Sequence, residues 1–393
     1  MGFVTTGLAI GAIAVATLRP AWSEVDTLWQ RCFVCGGRPV SDALTNVLLF
    51  VPLGVGLALA GVRGRRLGLV GASVSCLVEL IQLVLPGRDP SVGDVVFNTL
   101  GTGVGAAAVW RFPMWLRAAT AKSGLVAATG LCLVVLATGW LLGPSLPATE
   151  YWGQWTPYRD HFEWYRGRVL GAEVGSQAVR SSRMPDSPAA RAALRDGQPI
   201  TIEAVAGPPV SRLAPLFSIA DAVNREIALV GVDGEDLMFR RRTRAARYGL
   251  DQPDIRFHDG LAPVRAGDPL RVRVWRETPA EWCMTVNDRT ACGLGISGAR
   301  GWALVYHPDA FPDWLRDLLD AVWLAALAFP LGLALRPRPV GAAALGLMVV
   351  ALVPGSHGVG LLAPDLLDWA GVGLGLAAGL VIARVRRRPA LGH

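Results

Sequence analysis

Apolar residues run along this chain on two different length scales. Eight stretches are long and almost purely apolar, at about 3–18, 44–62, 67–85, 93–110, 124–143, 318–335, 340–354 and 366–383. Each predicts a helix that crosses a bilayer, because hydrocarbon offers no water to open backbone groups and about 20 helical residues span it. The seventh is the shortest. The first reads as a retained helix rather than a cleaved signal peptide, since no basic region leads into it.

Between 150 and 316 the apolar runs shorten to strand length. Alternation of period two marks Ile200-Thr201-Ile202-Glu203-Ala204-Val205 and Leu270-Arg271-Val272-Arg273-Val274-Trp275-Arg276, the pattern of strands with one buried face. Ile227 to Val232, Asp233-Gly234 and Leu237 to Phe239 read as a hairpin with an Asp-Gly turn. Arg240-Arg241-Arg242 then reads as a solvated strand end. With Asn287-Asp288 as a two-residue turn, Val286 pairs with Arg289 and Cys283 faces Cys292. Their Cα atoms are then about 4.5 Å apart, within disulfide range. Eight to twelve such strands predict a two-sheet sandwich.

Composition sharpens the class. Only 18% of the residues are charged and 52% are hydrophobic, against roughly 25% charged in a soluble domain, which excludes an ordinary soluble, disordered or collagen-like chain. All but Lys122 of the 38 basic residues are arginine. Basic and acidic residues nearly cancel across 150–316, so all but one of the net +7 resides beside the apolar stretches. That placement argues against nucleic acid and for membrane orientation. Arg63, Arg65 and Arg66; Arg111, Arg117 and Lys122; Arg336 and Arg338; and Arg384, Arg386, Arg387 and Arg388 mark four acid-free connections or ends. By the positive-inside rule all four are cytoplasmic. Both termini then face the cytoplasm and the insert lies outside, where a Cys283–Cys292 disulfide is stable. The division is an N-terminal membrane domain over residues 1–143, an extracytoplasmic sandwich over 144–316 and a C-terminal membrane domain over 317–393.

Polar residues inside the second to fourth spans carry the candidate chemistry. Asp42 and Asn46 lie at i, i+4, Glu79 and Gln82 at i, i+3, and Asp94 and Asn98 at i, i+4, so each pair shares a helix face. At about 1.5 Å per residue, Glu79 is roughly 10 Å inward of Pro86 and Asn98 as far below Ser91. Three acid-plus-amide pairs thus meet at one level in the outer half of the membrane, with Arg88 and Asp89 just above. An ionisable group at such depth is costly and points to function. Ligand-binding candidates are therefore Asp42, Asn46, Glu79, Gln82, Arg88, Asp94 and Asn98. Glu79 and Asp94 are also candidate acid/base groups. The plain alternative is interhelical hydrogen bonding, with Arg88 pairing a carboxylate and Asp42 capping its helix.

These residues also carry a resemblance. Asp42-Ala-Leu-Thr-Asn46-Val-Leu-Leu-Phe50-Val-Pro52-Leu-Gly54, Glu79-Leu-Ile-Gln82 and Pro86-Gly-Arg88-Asp89-Pro-Ser91-Val-Gly-Asp94-Val-Val-Phe-Asn98-Thr-Leu-Gly101 are similar to the VanZ-like family over residues 32–110. The resemblance implies a bacterial membrane protein. The founding member is linked to reduced sensitivity to the glycopeptide teicoplanin, by an activity not established. Cys32-Phe-Val-Cys35 in the first outer loop also resembles relatives. Without a second CxxC or a His pair it reads as a local disulfide or free thiols rather than zinc. Phe217 to Asp221, the Asp233-Gly234 hairpin and the Cys-bearing hairpin resemble a concanavalin A-like (laminin G-like) jelly roll, which implies glycan binding or hydrolysis. No Glu-x-Asp-x-Glu strand is present, and Glu235-Asp236 beside a turn does not replace it, so binding or scaffolding is expected.

A weak repeat pairs Phe50-Val-Pro52-Leu53-Gly54 with Phe329-Pro330-Leu331-Gly332, and Asn98 to Gly105 with Asp368 to Gly375. Two parallel four-helix halves follow, with the sandwich inserted in the second. The second half has no counterpart of Glu79 and Gln82. No phosphate-cradling loop, GxSxG elbow or HExxH helix occurs, and no cofactor or metal is expected. Three readings follow: an envelope protein binding membrane lipid and a cell-wall glycan or glycopeptide, an enzyme on a lipid-linked substrate, and a transporter, the last weakened by little charge in the second half.

Overall fold

The computed structural model describes residues 1–18, 38–86, 88, 90–118, 121–158, 162–308, 311–335 and 339–387. The Cys32–Cys35 motif, Asp89, Arg336, Arg338 and Arg388 lie outside the described residues.

Five helices come first: α1 (Gly2–Thr17), α2 (Pro39–Leu59), α3 (Arg65–Gln82), α4 (Val92–Ala118) and α5 (Ala121–Leu142). The chain then builds a β region carrying α6 (Ser187–Asp196) and α7 (Arg244–Arg247) before a 3-10 segment, Gly298–Leu304. It returns to helix as α8 (Asp313–Ala334), α9 (Pro339–Val350), a π turn leading into the short α10 (Ser356–Gly358), and α11 (Leu366–Arg387). Among the described residues, six helical stretches are long and apolar enough to cross a membrane: Pro39–Leu59, Val92–Met114, Ser123–Leu142, Asp313–Ala334, Val340–Gly358 and Leu366–Val385. Helix α1 is 16 residues long, shorter than that length. Helix α3 carries Arg65, Arg66 and Glu79 among its 18 residues. Leu48, Leu69, Leu77, Leu80, Leu100, Val126 and Leu133 all point outward from these helices. So much exposed apolar surface is stable against lipid and not against water.

Helices α2 and α4 pack backbone to backbone. Gly54 lies against the Thr102 carbonyl, and Gly101 and Gly105 lie against the carbonyls of Val47 and Val51, so no Cβ fits at any of the three. Small residues permit this approach, and in lipid the dispersion contact it creates drives association. Phe50, Leu53, Val78 and Ala106 fill the seam with Ala9 and Ile13 of α1.

The β region holds two antiparallel sheets. One has the order β1 (Tyr151–Trp155), β5 (Ala214–Asp221), β6 (Glu226–Asp233), β7 (Asp236–Arg241), β8 (Ile255–Phe257). The other runs β11 (Arg289–Leu294), β10 (Trp282–Val286), β9 (Pro269–Arg276), β4 (Ile200–Val205), β2 (Arg168–Val174), β3 (Gln177–Ala178). Ile200, Ile202 and Ala204 of β4 and Leu270, Val272 and Val274 of β9 point inward, as alternation requires. They meet Phe217, Ile219, Ile227, Val230 and Phe239 of the first sheet in one core. On the β10–β11 hairpin, Cys283 and Cys292 are joined by a disulfide with Cα atoms 4.1 Å apart. A register shift follows beside Gly293, whose φ of +72° a glycine tolerates.

Two expectations change here. The β6–β7 turn is centred on Gly234-Glu235, with Asp233 paired to Asp236, rather than on Asp233-Gly234. Gly234 takes φ +61° at the first central position, as a type II′ turn demands. Arg240-Arg241-Arg242 is no solvated strand end. Arg240 makes a bidentate pair with the fully buried Asp254, at 2.5 and 2.7 Å. Arg241 packs its guanidinium 5.1 Å from the Trp282 ring, and burial pushes its pKa down to about 10.

Candidate functional site

The site is built where α2 and α4 begin and α3 ends. Ser91 precedes α4, and its Oγ accepts the Gly93 N–H at 3.0 Å, capping the helix. The Ser91 N–H in turn donates to Glu79 Oε2 at 2.9 Å. Asp94 sits in the first turn of α4 and Asp42 in that of α2, where the helix dipoles favour negative charge. Asn46 Nδ2 of α2 donates to Asp94 Oδ1 at 2.7 Å. One turn deeper, Asn98 Nδ2 donates to Ser75 Oγ at 2.9 Å. Asn98 is only 2% exposed, yet its Oδ1 receives no hydrogen bond.

Asn46 and Asp94 are thus joined directly, Glu79 is tied through Ser91 to the start of the same helix, and Asn98 ties that helix to Ser75 of α3. The carboxylates of Asp42 and Glu79 are both within electrostatic reach of Asp94. Glu79 is 9% exposed and Asp42 is exposed. No arginine, lysine or histidine makes an ion pair with any of these three acids among the described residues. Gln82 does not join Glu79: its Nε2 donates to the Thr17 carbonyl at 3.1 Å, fastening α3 to α1. Arg88 sends Nη2 to the Ala16 carbonyl at 3.4 Å. These two act as fasteners along α1, at the border of the acid group.

Sequence reasoning missed the partners. Ser75, four residues before Glu79, shares its helix face and was open to discovery by the same i, i+4 spacing. The ties to the β region carried no such signal. Arg38 grips Asp251 with both carboxylate oxygens at 2.7 Å. The Val40 and Ser41 N–H groups donate to the Gly249 carbonyl, each at 3.0 Å. Ser41 and Thr45 hydroxyls both donate to the Val305 carbonyl. The sandwich is thus anchored on the start of α2, on the turn that bears Asp42. Burial of Asp251 opposes its charge, but His307 and Arg38 outweigh that and hold its pKa below the usual carboxylate range.

The repeat also needs a correction. Helices α8 and α11 repeat the α2–α4 contact, with Gly332 against the Leu376 carbonyl and Gly375 and Gly379 against those of Ala325 and Phe329. Gly101 therefore matches Gly375 and not Gly371, one helical turn from the pairing the motifs suggest. Asp94 then matches Asp368, and Asp42 matches Asp320. The second half is not poor in charge, since both aspartates are buried there.

An α-helical membrane protein with an acidic, amide-lined group in α2–α4 and a two-sheet β region is the class that fold and site define. Residues 8–115 match the family model described as VanZ/LLP1; that segment is a VanZ-like domain, and the β region follows it. No curated protein and no solved structure matches the chain.

Proposed function

We propose that this is a multi-pass protein of the bacterial cell membrane whose α2–α4 group binds the polar head of a lipid-linked, glycan or glycopeptide ligand. One observation carries the reading. Asp42, Glu79 and Asp94 converge without an ion-pair partner among the described residues, whereas acids kept for structure alone in a membrane are paired. In this reading all eight helices cross the bilayer, both termini are cytoplasmic, and the sandwich stands outside over the mouth of the site. The sandwich, a concanavalin A-like jelly roll in this reading, holds or shields the glycan portion. The family link to teicoplanin suggests the assay: the full chain expressed in a susceptible bacterium raises the teicoplanin concentration needed to stop growth. Glu79→Gln at equal membrane abundance abolishes that gain. Equal protection by wild type and variant would end the proposal.

Acid/base chemistry on a lipid-linked substrate is a second reading, favoured by the unspent Glu79 oxygen next to Asp94. It requires a product absent from Glu79→Gln membranes, which lipid extracts compared by mass spectrometry would reveal.

A further inference from the structure

The second half of the membrane region holds an answer to what the first half binds. Three backbone contacts match between α2–α4 and α8–α11: Val47 with Gly101 and Ala325 with Gly375, Val51 with Gly105 and Phe329 with Gly379, and Gly54 with Thr102 and Gly332 with Leu376. Pro52 and Pro330 fall at the same place inside α2 and α8. In that register Asp42 corresponds to Asp320 and Asp94 to Asp368. Each acid pair is electrostatically coupled.

The pairs differ in occupancy. Arg300, from the 3-10 segment, places its guanidinium on Asp320, with Nη2 at 2.7 Å and Nε at 3.1 Å from Oδ2. Trp302 Nε1 completes the set on Oδ1 at 2.6 Å. Asp368 is within electrostatic reach of the same guanidinium. Arg300 offsets one of the two charges, and the pair is closed over, Asp320 being 6% and Asp368 5% exposed. At the first pair, Asp42 is exposed and neither acid accepts an ion pair among the described residues; Arg38 lies within electrostatic reach of Asp42 but donates to Asp251 instead. The carboxylate oxygens left without a partner there, among the described residues, are both Asp42 oxygens, Asp94 Oδ2 and Glu79 Oε1, and the buried Asn98 Oδ1 is a further unpartnered acceptor. Such a set is complemented by a compact group with several N–H donors and positive charge.

We propose that the α2–α4 site takes a cationic ammonium or guanidinium group of its ligand, and that Arg300 is the built-in counterpart of that group in the second half. This rests on the α2–α4 group being a ligand site, as proposed above. The cation could belong to a lipid head group or to a soluble molecule.

The test uses the full chain in detergent micelles doped with phosphatidylethanolamine or phosphatidylglycerol, read by native mass spectrometry. In parallel, thermal unfolding is followed with methylguanidinium or ethylammonium at low millimolar concentration, and with inorganic phosphate. Retention of phosphatidylethanolamine over phosphatidylglycerol, weakened about tenfold or more in Asp94→Asn, supports a lipid source. Stabilisation by the free cations, lost in the same variant, supports a soluble one. The second half supplies an independent arm: Arg300→Ala lowers the unfolding temperature, and methylguanidinium restores it where phosphate does not. Preference for phosphatidylglycerol or phosphate, or no response to any cation in wild type and Arg300→Ala alike, overturns the inference. If cations fail while Glu79→Gln still abolishes teicoplanin protection, only the ligand class is wrong and the site stands.

Discussion

Asn46 on α2 donates its amide to the carboxylate of Asp94 on α4 at 2.7 Å, joining two helices whose backbones already touch at Gly101 and Gly105. The bond crosses between two pairs that the sequence displays as separate i, i+4 motifs. It leaves Asp94 with one oxygen spent and one available, in a carboxylate within electrostatic reach of Asp42 and Glu79. Replacing Asn46 by Leu removes the bond and strands a partly buried carboxylate. The expected cost is about 1–3 kcal/mol of stability, read as a lower unfolding temperature, together with loss of the teicoplanin protection proposed above. Asn46→Asp, which sets two acids against each other, is expected to cost more than Asn46→Ala.

Close helix contact makes a sharper prediction. A side chain at Gly105 meets the Val51 carbonyl, and one at Gly379 meets that of Phe329, while Gly103 has nothing near its missing Cβ. Gly105→Val and Gly379→Val should each prevent accumulation of folded monomer, seen as aggregation on size exclusion. Gly103→Ala should elute like wild type. An unchanged Gly105→Val profile would contradict the packing.

The Arg38–Asp251–His307 contact should make docking of the sandwich depend on pH. Asp251 has its pKa depressed in the folded protein, chiefly against burial, by His307 and Arg38. A depressed acid contributes stability that is fully present above its unfolded pKa, about 3.9, and that is lost as pH falls through the lower folded value. Asp251→Asn should therefore unfold at lower temperature than wild type at pH 7. The gap should close as pH drops below about 4. A gap that widens on acidification would reverse the assignment.

Cys283 is fully buried and Cys292 is its disulfide partner, nine residues away. Closing a loop of that size constrains the unfolded chain by about 2–3 kcal/mol in the entropic account. The double variant Cys283→Ala, Cys292→Ala should lower the melting of the β signal in circular dichroism and leave the helical transition unchanged. Topology has its own check. A cysteine introduced as Asp288→Cys should react with an impermeant maleimide in intact cells, and one introduced as Gly64→Cys only after lysis.

Arg241 is a cation held against Trp282 with no carboxylate partner among the described residues. Burying an uncompensated charge costs more than an apolar residue of like volume. Arg241→Met should raise the unfolding temperature of the β region, whereas Arg240→Met, which abandons buried Asp254, should lower it. Chemical denaturation of the two variants side by side distinguishes them.

Much of the architecture follows from local pattern. Runs of apolar residues mark the helices, because a membrane span is a property of one segment and its hydration. Period-two alternation marks β4 and β9, since each buries one face. The β5 and β6 strands lost that signal, being buried on both faces. Glu79, Asp94 and Asn98 were recognisable as polar residues set within apolar segments, a costly placement.

The rest depended on which surfaces meet. Gln82 turned to α1 rather than to Glu79, and Arg88 to a carbonyl, because a hydrogen bond goes to whichever group packing brings within reach. The register of the repeat came from glycine contacts between α8 and α11, which no motif spacing encodes. The sequence alone thus determined the apolar segments, the strands of period two and the polar residues set within the helices. Tertiary structure alone decided their pairings and left Asp42 open while Arg300 covers Asp320. Neighbouring charges in space, not in sequence, set what a buried acid must do.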